Sequence, residues 1–119
     1  MSPFRVGGLS TKYRAVPTVV NGIRFDSKRE AARYLELVLL GLAGGLVDLE
    51  LQPRFDLHVQ GIKVATYVAD FRYREWQSGP HGGGWVDVVE DVKGVRTPVY
   101  RLKAKHLAAE HGIRIRETR

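Results

Sequence analysis

Cysteine is absent from this chain of 119 residues, and so is any long apolar run. Without cysteine the chain forms no disulfide bonds and no zinc sites with thiolate ligands. No segment approaches the roughly 18 consecutive apolar residues that a membrane-spanning helix needs. The first residues also lack the apolar stretch of a signal peptide, so we expect a cytoplasmic protein with no membrane partner. The length fits a single domain.

Basic residues outnumber acidic ones, nineteen to thirteen, and the excess is unevenly distributed along the chain. Residues 1–47 hold seven basic and three acidic side chains, and residues 93–119 hold eight and two. Residues 48–92, between them, hold four and eight. Two basic flanks around an acidic centre suit a polyanion such as DNA, held across a metal site. A solvated basic surface gives the same pattern, so charge alone leaves both interpretations open.

The N-terminal part of the sequence predicts an arm, a hairpin and a helix. Residues 1–16 are polar and basic without periodicity, and we expect a flexible arm ahead of a domain that covers residues 17–119. The Asn-Gly pair at 21–22 favours the positive φ angles of a type I′ turn, which predicts a tight hairpin. Asp26 or Ser27 can cap the helix, Ser27 and Glu30 fit a capping box, and the apolar residues that follow recur at helical spacing.

The rest of the sequence predicts strands, a second helix and a last strand. Three strands are expected, and they cover residues 49–59, 62–76 and 85–93. The first of them is interrupted or bent at Pro53. Pro98 suits the first turn of a helix that Thr97 caps and that ends near residue 110, and alternation over 113–116 predicts the last strand. The order indicates an α/β (α+β) domain with a central mixed sheet flanked by helices.

Three charged residues on the second and third strands are candidates for chemistry. Asp91 and Lys93 are two residues apart, so they share one face of a strand. Asp70 interrupts an apolar run, where a lone carboxylate would be costly. Two carboxylates on neighbouring strands repel each other unless a divalent cation lies between them, and oxygen ligands suit Mg²⁺. Lys93 could then orient or help deprotonate an attacking water, or stabilise charge on a phosphate.

The same residues also allow purely structural interpretations. An ion pair between Lys93 and Asp91 or Asp70 explains the local pattern as well, because short acidic and basic patterns are common. Glu30 suits either a helix cap or a third carboxylate at the metal. Strand parity places Glu90 on the face opposite Asp91, which favours a salt bridge unless a bulge shifts the register.

Basic residues beside these candidates could contact phosphates. Each one alone is more often a solvated surface charge, but together they fit a surface that follows a phosphate backbone. They are Arg24, Lys28, Arg29, Arg33, Arg72, Arg101, Lys103 and Lys105.

A glycine-rich segment over 78–84 is expected to be a flexible loop. It lacks the Lys-Ser/Thr of a nucleotide-binding loop, so no nucleotide cofactor is expected. Trp76 and Trp85 flank this segment and are predicted to pair across a hairpin. The four histidines show no spacing typical of metal ligands, and we expect no role for them in the site.

Four segments occur in an order that carries more information than any one of them. They read NGIRFDSKREA from residue 21, YVAD from 67, VEDVKG from 89 and TPVYRLK from 97. Together they resemble the PD-(D/E)xK nuclease superfamily, over residues 12–117. Within it they are similar to a phage-encoded branch related to Holliday junction resolvases of the archaeal type and of the phage endonuclease I type.

The resemblance implies a restriction-endonuclease-like core of order α-β-β-β-α-β and phosphodiester hydrolysis that depends on Mg²⁺ or Mn²⁺. By motif position it makes Asp70 and Asp91 metal ligands and Lys93 the catalytic lysine. Glu30 matches the helix glutamate that completes the metal site in resolvases. The doublet of Glu90 and Asp91 offers two carboxylates, of which strand parity and the spacing to Lys93 favour Asp91.

The expected function is that of a structure-selective DNA endonuclease that cuts four-way junctions. Resolution of a junction needs two symmetric nicks, which suits a homodimer, and a chain of this size leaves little room for a module that reads sequence. For a phage-encoded enzyme the expected location is the host cytoplasm. The alternatives are a restriction-like or repair nicking enzyme of the same superfamily, a non-catalytic DNA-binding protein, and a structural phage protein. Binding alone would favour removal of acids that repel phosphate, which counts against the second of these.

Overall fold

The computed structural model describes residues 16–119, so the expected arm over 1–16 lies, apart from Val16, outside the described residues. The elements of this part of the chain are β1 (Thr18–Val20), β2 (Ile23–Phe25), α1 (Lys28–Leu42), β3 (Leu46–Leu51), β4 (Arg54–Val59), β5 (Ile62–Val68), β6 (Phe71–Gly79), β7 (Gly82–Val92), α2 (Pro98–His111) and β8 (Arg116–Thr118). The central sheet has the order β3-β6-β7-β8. Its β7 and β8 are parallel, and its other neighbours are antiparallel.

The two helices pack against opposite faces of this central sheet. Consecutive side chains of a strand point to opposite faces. Accordingly, Val88 packs in one core with Ala31 and Leu37 of α1, and Val89 packs in a second core that includes Leu107 of α2. The helices and the strands of the central sheet follow the order α1, β3, β6, β7, α2, β8. The predicted mixed α+β class, with a central mixed sheet flanked by helices, is therefore confirmed.

Each of the first two predicted strands is two strands that belong to different sheets. The interruption expected at Pro53 is confirmed, whereas the unbroken second strand is wrong. The first divides at Pro53 into β3 and β4, and the second divides at Ala69 and Asp70 into β5 and β6. The hairpin of β4 and β5 forms a sheet of its own. Gln52 N donates to Asp70 O at 3.0 Å, and Ala69 N donates to Pro53 O at 3.1 Å, so the two breaks lie side by side. The chain thus leaves and re-enters the central sheet next to Asp70.

The hairpin of β6 and β7 is longer than predicted. The loop expected over 78–84 is wrong, because strand pairing continues through the glycines and leaves only residues 80–81 as the turn. Glycine has little preference for strands, so the sequence pattern does not show this extension. Trp76 and Trp85 pair across the hairpin as predicted, with ring centroids 5.3 Å apart in a T-shaped arrangement.

Gly83 lies against the indole ring of Trp76. A Cβ at Gly83 would be 2.5 Å from Trp76 Cζ2 and 2.9 Å from the carbonyl oxygen of Gln77, whereas a Cβ at Gly84 meets nothing within 4 Å. We expect Gly83→Ala to lower the free energy of unfolding by about 1–3 kcal/mol, the usual cost of overpacking. Gly84→Ala should change it by less than about 0.5 kcal/mol. Urea unfolding followed by tryptophan fluorescence measures both, and equal effects would contradict this packing.

Both helices begin at the caps that the sequence predicts. Ser27 Oγ accepts a hydrogen bond from Glu30 N at 3.1 Å, and Thr97 Oγ1 accepts one from Tyr100 N at 3.1 Å. Each cap satisfies a backbone N–H that has no partner within the first turn of the helix. Neither helix in residues 16–119 combines the length and hydropathy that crossing a membrane requires.

The short strands near the two ends of the domain differ in how well local sequence predicts them. Asn21 and Gly22 have φ angles of 52° and 75°, which fits the tight turn expected between β1 and β2. The last strand was expected over 113–116, but β8 is Arg116–Thr118. The alternation of apolar and basic residues over 113–116 arises because Ile113 and Ile115 pack against the core beneath α2, not because residues 113–115 form a strand.

Candidate active site

Two carboxylates, those of Asp70 and Asp91, meet where the chain re-enters the central sheet. The backbone N of Asp70 donates to Asp91 Oδ1 at 2.8 Å, and the backbone N of Val92 donates to Asp70 Oδ2 at 2.8 Å. Each side chain is therefore fixed by the main chain of the neighbouring segment. Asp91 is 1% exposed and Asp70 is half-buried. The break between β5 and β6 is thus what turns Asp70 toward the end of β7.

Lys93 lies on the same side of the sheet as Asp91, as strand parity predicts. Its Nζ is 3.7 Å from Asp91 Oδ2 and 4.3 Å from the centre of the Tyr100 ring. The backbone N of Lys93 donates to the carbonyl oxygen of Thr118 at 2.8 Å, so pairing with β8 continues through the lysine. The ammonium group therefore lies between a buried carboxylate and an aromatic ring.

Glu30 is buried in the first turn of α1, at 7% exposure. Among residues 16–119, no group of three or more histidine, aspartate and glutamate side chains is arranged to hold a metal ion. The hydrogen bonds described above link the segments of Asp70 and Asp91. The place of Glu30 as the third ligand stays a prediction.

The donor chemistry of the aspartate pair fits a hard divalent cation. Mg²⁺ and Mn²⁺ prefer carboxylate oxygens, and two adjacent strand segments hold these carboxylates close together. Placing two negative charges side by side in a mostly buried position is costly, and a divalent cation offsets that cost. Asp70 and Asp91, with Glu30 as a predicted third member, are the residues that would hold such an ion.

Glu90 faces the opposite side of β7 and is fully buried. Arg33 donates to its two oxygens at 2.6 and 2.9 Å, and the hydroxyls of Tyr73 and Thr118 donate to it as well. Burial acts to raise the pKa of Glu90, but the hydrogen bonds from Arg33 and Tyr73 outweigh it and hold that pKa below its ordinary value. Glu90 is therefore the buried half of an ion pair on the face away from Asp91.

The predicted phosphate contacts divide into basic side chains that bind within the domain and ones that are exposed. Arg33 holds the buried glutamate, the Arg72 guanidinium lies 5.6 Å from the centre of the Phe55 ring, and Lys103 Nζ donates to Thr66 O at 3.0 Å. The exposed members of the set are Arg24, Lys28, Arg29, Arg101 and Lys105. These five are the stronger candidates for contact with a ligand.

Arg29 brings a positive charge from α1 to the end of β7. A Cβ at Gly94 would lie 2.8 Å from Arg29 Nη1, so the guanidinium packs directly on the backbone that follows Lys93. Glycine at this position is what allows so close an approach. An exposed arginine against the residue that follows Lys93 is able to bind a phosphate group.

A family model described as "Protein of unknown function (DUF1064)" matches residues 10–117. The chain belongs to this family. No curated protein and no solved structure matches the chain. Asp70, Asp91 and Lys93 all lie within the matched range, so the candidate site is part of the DUF1064 domain itself.

The sequence interpretation of this DUF1064 domain missed the ring beside Lys93. Tyr100 lies in the fourth of the ordered segments, and its spacing in α2 gives no sign that it meets the end of β7. Burial raises the pKa of Tyr100, and a hydrogen bond to Glu117 raises it further, so the hydroxyl is a neutral donor. The one sequence feature that could have indicated a role for Tyr100 is its position within the segment TPVYRLK.

Three of the four histidines also prove to be close together. Nitrogens of His58, His106 and His111 lie 2.6, 3.3 and 3.6 Å from carboxylate oxygens of Glu110. The ring of His106 also hydrogen-bonds the backbone oxygen of His58, at 2.8 Å. These contacts tie the end of α2 to β4 near the turn of the β4–β5 hairpin, which is a structural role, whereas Asp70 lies next to the open end of that hairpin.

Proposed function

We propose that this DUF1064 protein is a metal-dependent DNA endonuclease that cuts four-way junctions as a homodimer. Two hydrogen bonds carry the proposal: the Asp91 carboxylate accepts from the backbone N of Asp70, and the Asp70 carboxylate accepts from the backbone N of Val92. They hold the two carboxylates close to Lys93. The substrate class comes from the resemblance of the ordered motifs to Holliday junction resolvases. The dimer follows from the two symmetric nicks that such a substrate requires.

Asp70 and Asp91 would hold Mg²⁺ or Mn²⁺, with Glu30 as the predicted third ligand. When bound, such an ion activates a water molecule and polarises the phosphodiester. The contribution of the chain is the fixed placement of the carboxylates by backbone N–H groups of neighbouring segments. These hydrogen bonds hold both carboxylates in place without the ion.

Lys93 supplies a positive charge on the same face. Negative charge grows on the phosphate oxygens during hydrolysis, and an ammonium group held next to the carboxylates stabilises that charge. The Lys93 side chain is 25% exposed, so it can reach a substrate while it keeps its contact with Asp91. Arg29 and the other exposed basic residues then contact phosphates on either side of the one that is cut.

Incubation of the purified protein with a synthetic four-way junction and Mg²⁺ tests the proposal. We expect paired symmetric nicks, no nicks in EDTA, and much weaker cutting of a linear duplex of the same sequence. Equal cutting of the duplex would overturn the junction preference and leave a less selective nuclease. Binding without cleavage in both Mg²⁺ and Mn²⁺ would overturn the nuclease proposal and favour a non-catalytic DNA-binding protein.

A further inference from the structure

The ring of Tyr100 lies close against the ammonium group of Lys93. The Nζ atom is 4.3 Å from the ring centroid, well inside the range of about 6 Å over which a cation is attracted to an aromatic face. Tyr100 is 8% exposed, and the Lys93 side chain is 25% exposed. Because this contact is largely shielded from water, the attraction is stronger than at an open surface.

Contacts at both ends of the side chain fix the Tyr100 ring. The hydroxyl donates to Glu117 Oε2 at 2.7 Å, and Glu117 forms an ion pair with Arg96. Glu117 is opposite Asp91 in the parallel pairing of β7 and β8, so the acceptor of the hydroxyl is set by the central sheet. At the other end, the backbone of Tyr100 is held by the cap at Thr97. The ring therefore keeps its position independently of Lys93.

We propose that Tyr100 is a positioning residue, whose ring face holds the Lys93 ammonium beside Asp91. The proposal rests on the nuclease function above and adds to it the group that directs the lysine. Asp91 attracts the ammonium from one side, and the ring of Tyr100 attracts it from another. Together they restrict the flexible Lys93 side chain, which then turns less freely into solvent. Pre-placement of this kind matters for catalysis because small displacements of a reacting group cost large factors in rate.

The proposal assigns the effect to the aromatic face and not to the hydroxyl. Tyr100→Phe keeps the face, whereas Tyr100→Leu keeps an apolar side chain without one. Both substitutions remove the hydrogen bond to Glu117, so any loss that came from that bond would appear equally in both. The two variants are therefore matched controls for one another.

Cleavage kinetics of the full chain on a four-way junction give the first readout. We expect Tyr100→Phe to stay within about twofold of the wild type, and Tyr100→Leu to lose about tenfold in kcat with KM unchanged, as a cation–π contact of this size predicts. Equal kcat values for the two variants would overturn the positioning role. Circular dichroism checks folding, and Tyr100→Met replaces the leucine variant if that variant unfolds.

The chemical shift of the Lys93 ε-methylene protons gives a second readout that needs neither DNA nor metal. A ring face shifts nearby protons upfield, so the shift should be present in the wild type and in Tyr100→Phe and lost in Tyr100→Leu. Its absence from the wild type would overturn the contact. If the wild type shows the upfield shift but does not cut DNA, the contact between Lys93 and Tyr100 is real. That result would overturn both the catalytic role of the contact and the proposed nuclease function.

Discussion

Asp91→Asn is expected to reduce metal-dependent cleavage of a four-way junction by about 100- to 1,000-fold, the scale seen when a group that stabilises the transition state is removed. Asparagine keeps the size of the side chain and an oxygen that can accept from the backbone N of Asp70. It loses the negative charge that attracts a divalent cation. Asp70→Asn should have the same effect. Cleavage is measured under single-turnover conditions and binding by gel shift in EDTA, where both variants should match the wild type.

Asp56→Asn provides the control for these variants. Asp56 lies on β4, its side chain is 53% exposed, and it pairs with Lys63 at 3.4 Å on the surface. The same chemical change should leave the cleavage rate unaltered there. If Asp91→Asn cut the junction at the wild-type rate, the carboxylate pair would have a structural role only. That is the alternative that the sequence alone leaves open.

Glu90→Ala is expected to lower the free energy of unfolding by about 3 kcal/mol, near the lower end of what breaking a buried ion pair costs. The change leaves Arg33 and two hydroxyl donors facing a cavity, but the Arg33 side chain is 20% exposed and keeps some contact with water. Glu36→Ala is the control, because Glu36 pairs with the same arginine at 3.7 Å and is 65% exposed. Its loss should cost less than about 1 kcal/mol. Urea unfolding at neutral pH measures both.

The contribution of Glu90 to stability should also fall in acid. Its pKa is lower in the folded protein than the ordinary value near 4.5, so folding favours the charged form. That contribution is complete above pH 4.5 and is lost as the pH falls through the lower value of the folded state. The difference in stability between the wild type and Glu90→Ala should therefore narrow below pH 4.5, and a difference that widened would contradict the assignment.

Local sequence was sufficient for strand parity on β7 and for the helix caps, because neighbours along the chain decide both. Strand alternation placed Asp91 and Glu90 on opposite faces of β7, and the structure gives them different surroundings accordingly. Caps at Ser27 and Thr97 fixed where both helices begin, because the groups that they satisfy lie within three residues. The class of the fold followed from the order of these elements.

Tertiary structure decided which segments meet, since that depends on packing between residues far apart in the chain. Nothing local to Asp70 shows that the strand breaks there, because the break is held by Gln52 and Pro53 of another segment. Tyr100 likewise becomes a neighbour of Lys93 only when α2 packs on the sheet. By itself, the sequence identified the charged candidate residues and showed on which face of β7 Glu90, Asp91 and Lys93 lie. Only the folded domain showed that a strand break turns Asp70 to the end of β7 and that the ring of Tyr100 joins Asp91 and Lys93 there, because these contacts join segments far apart in the chain.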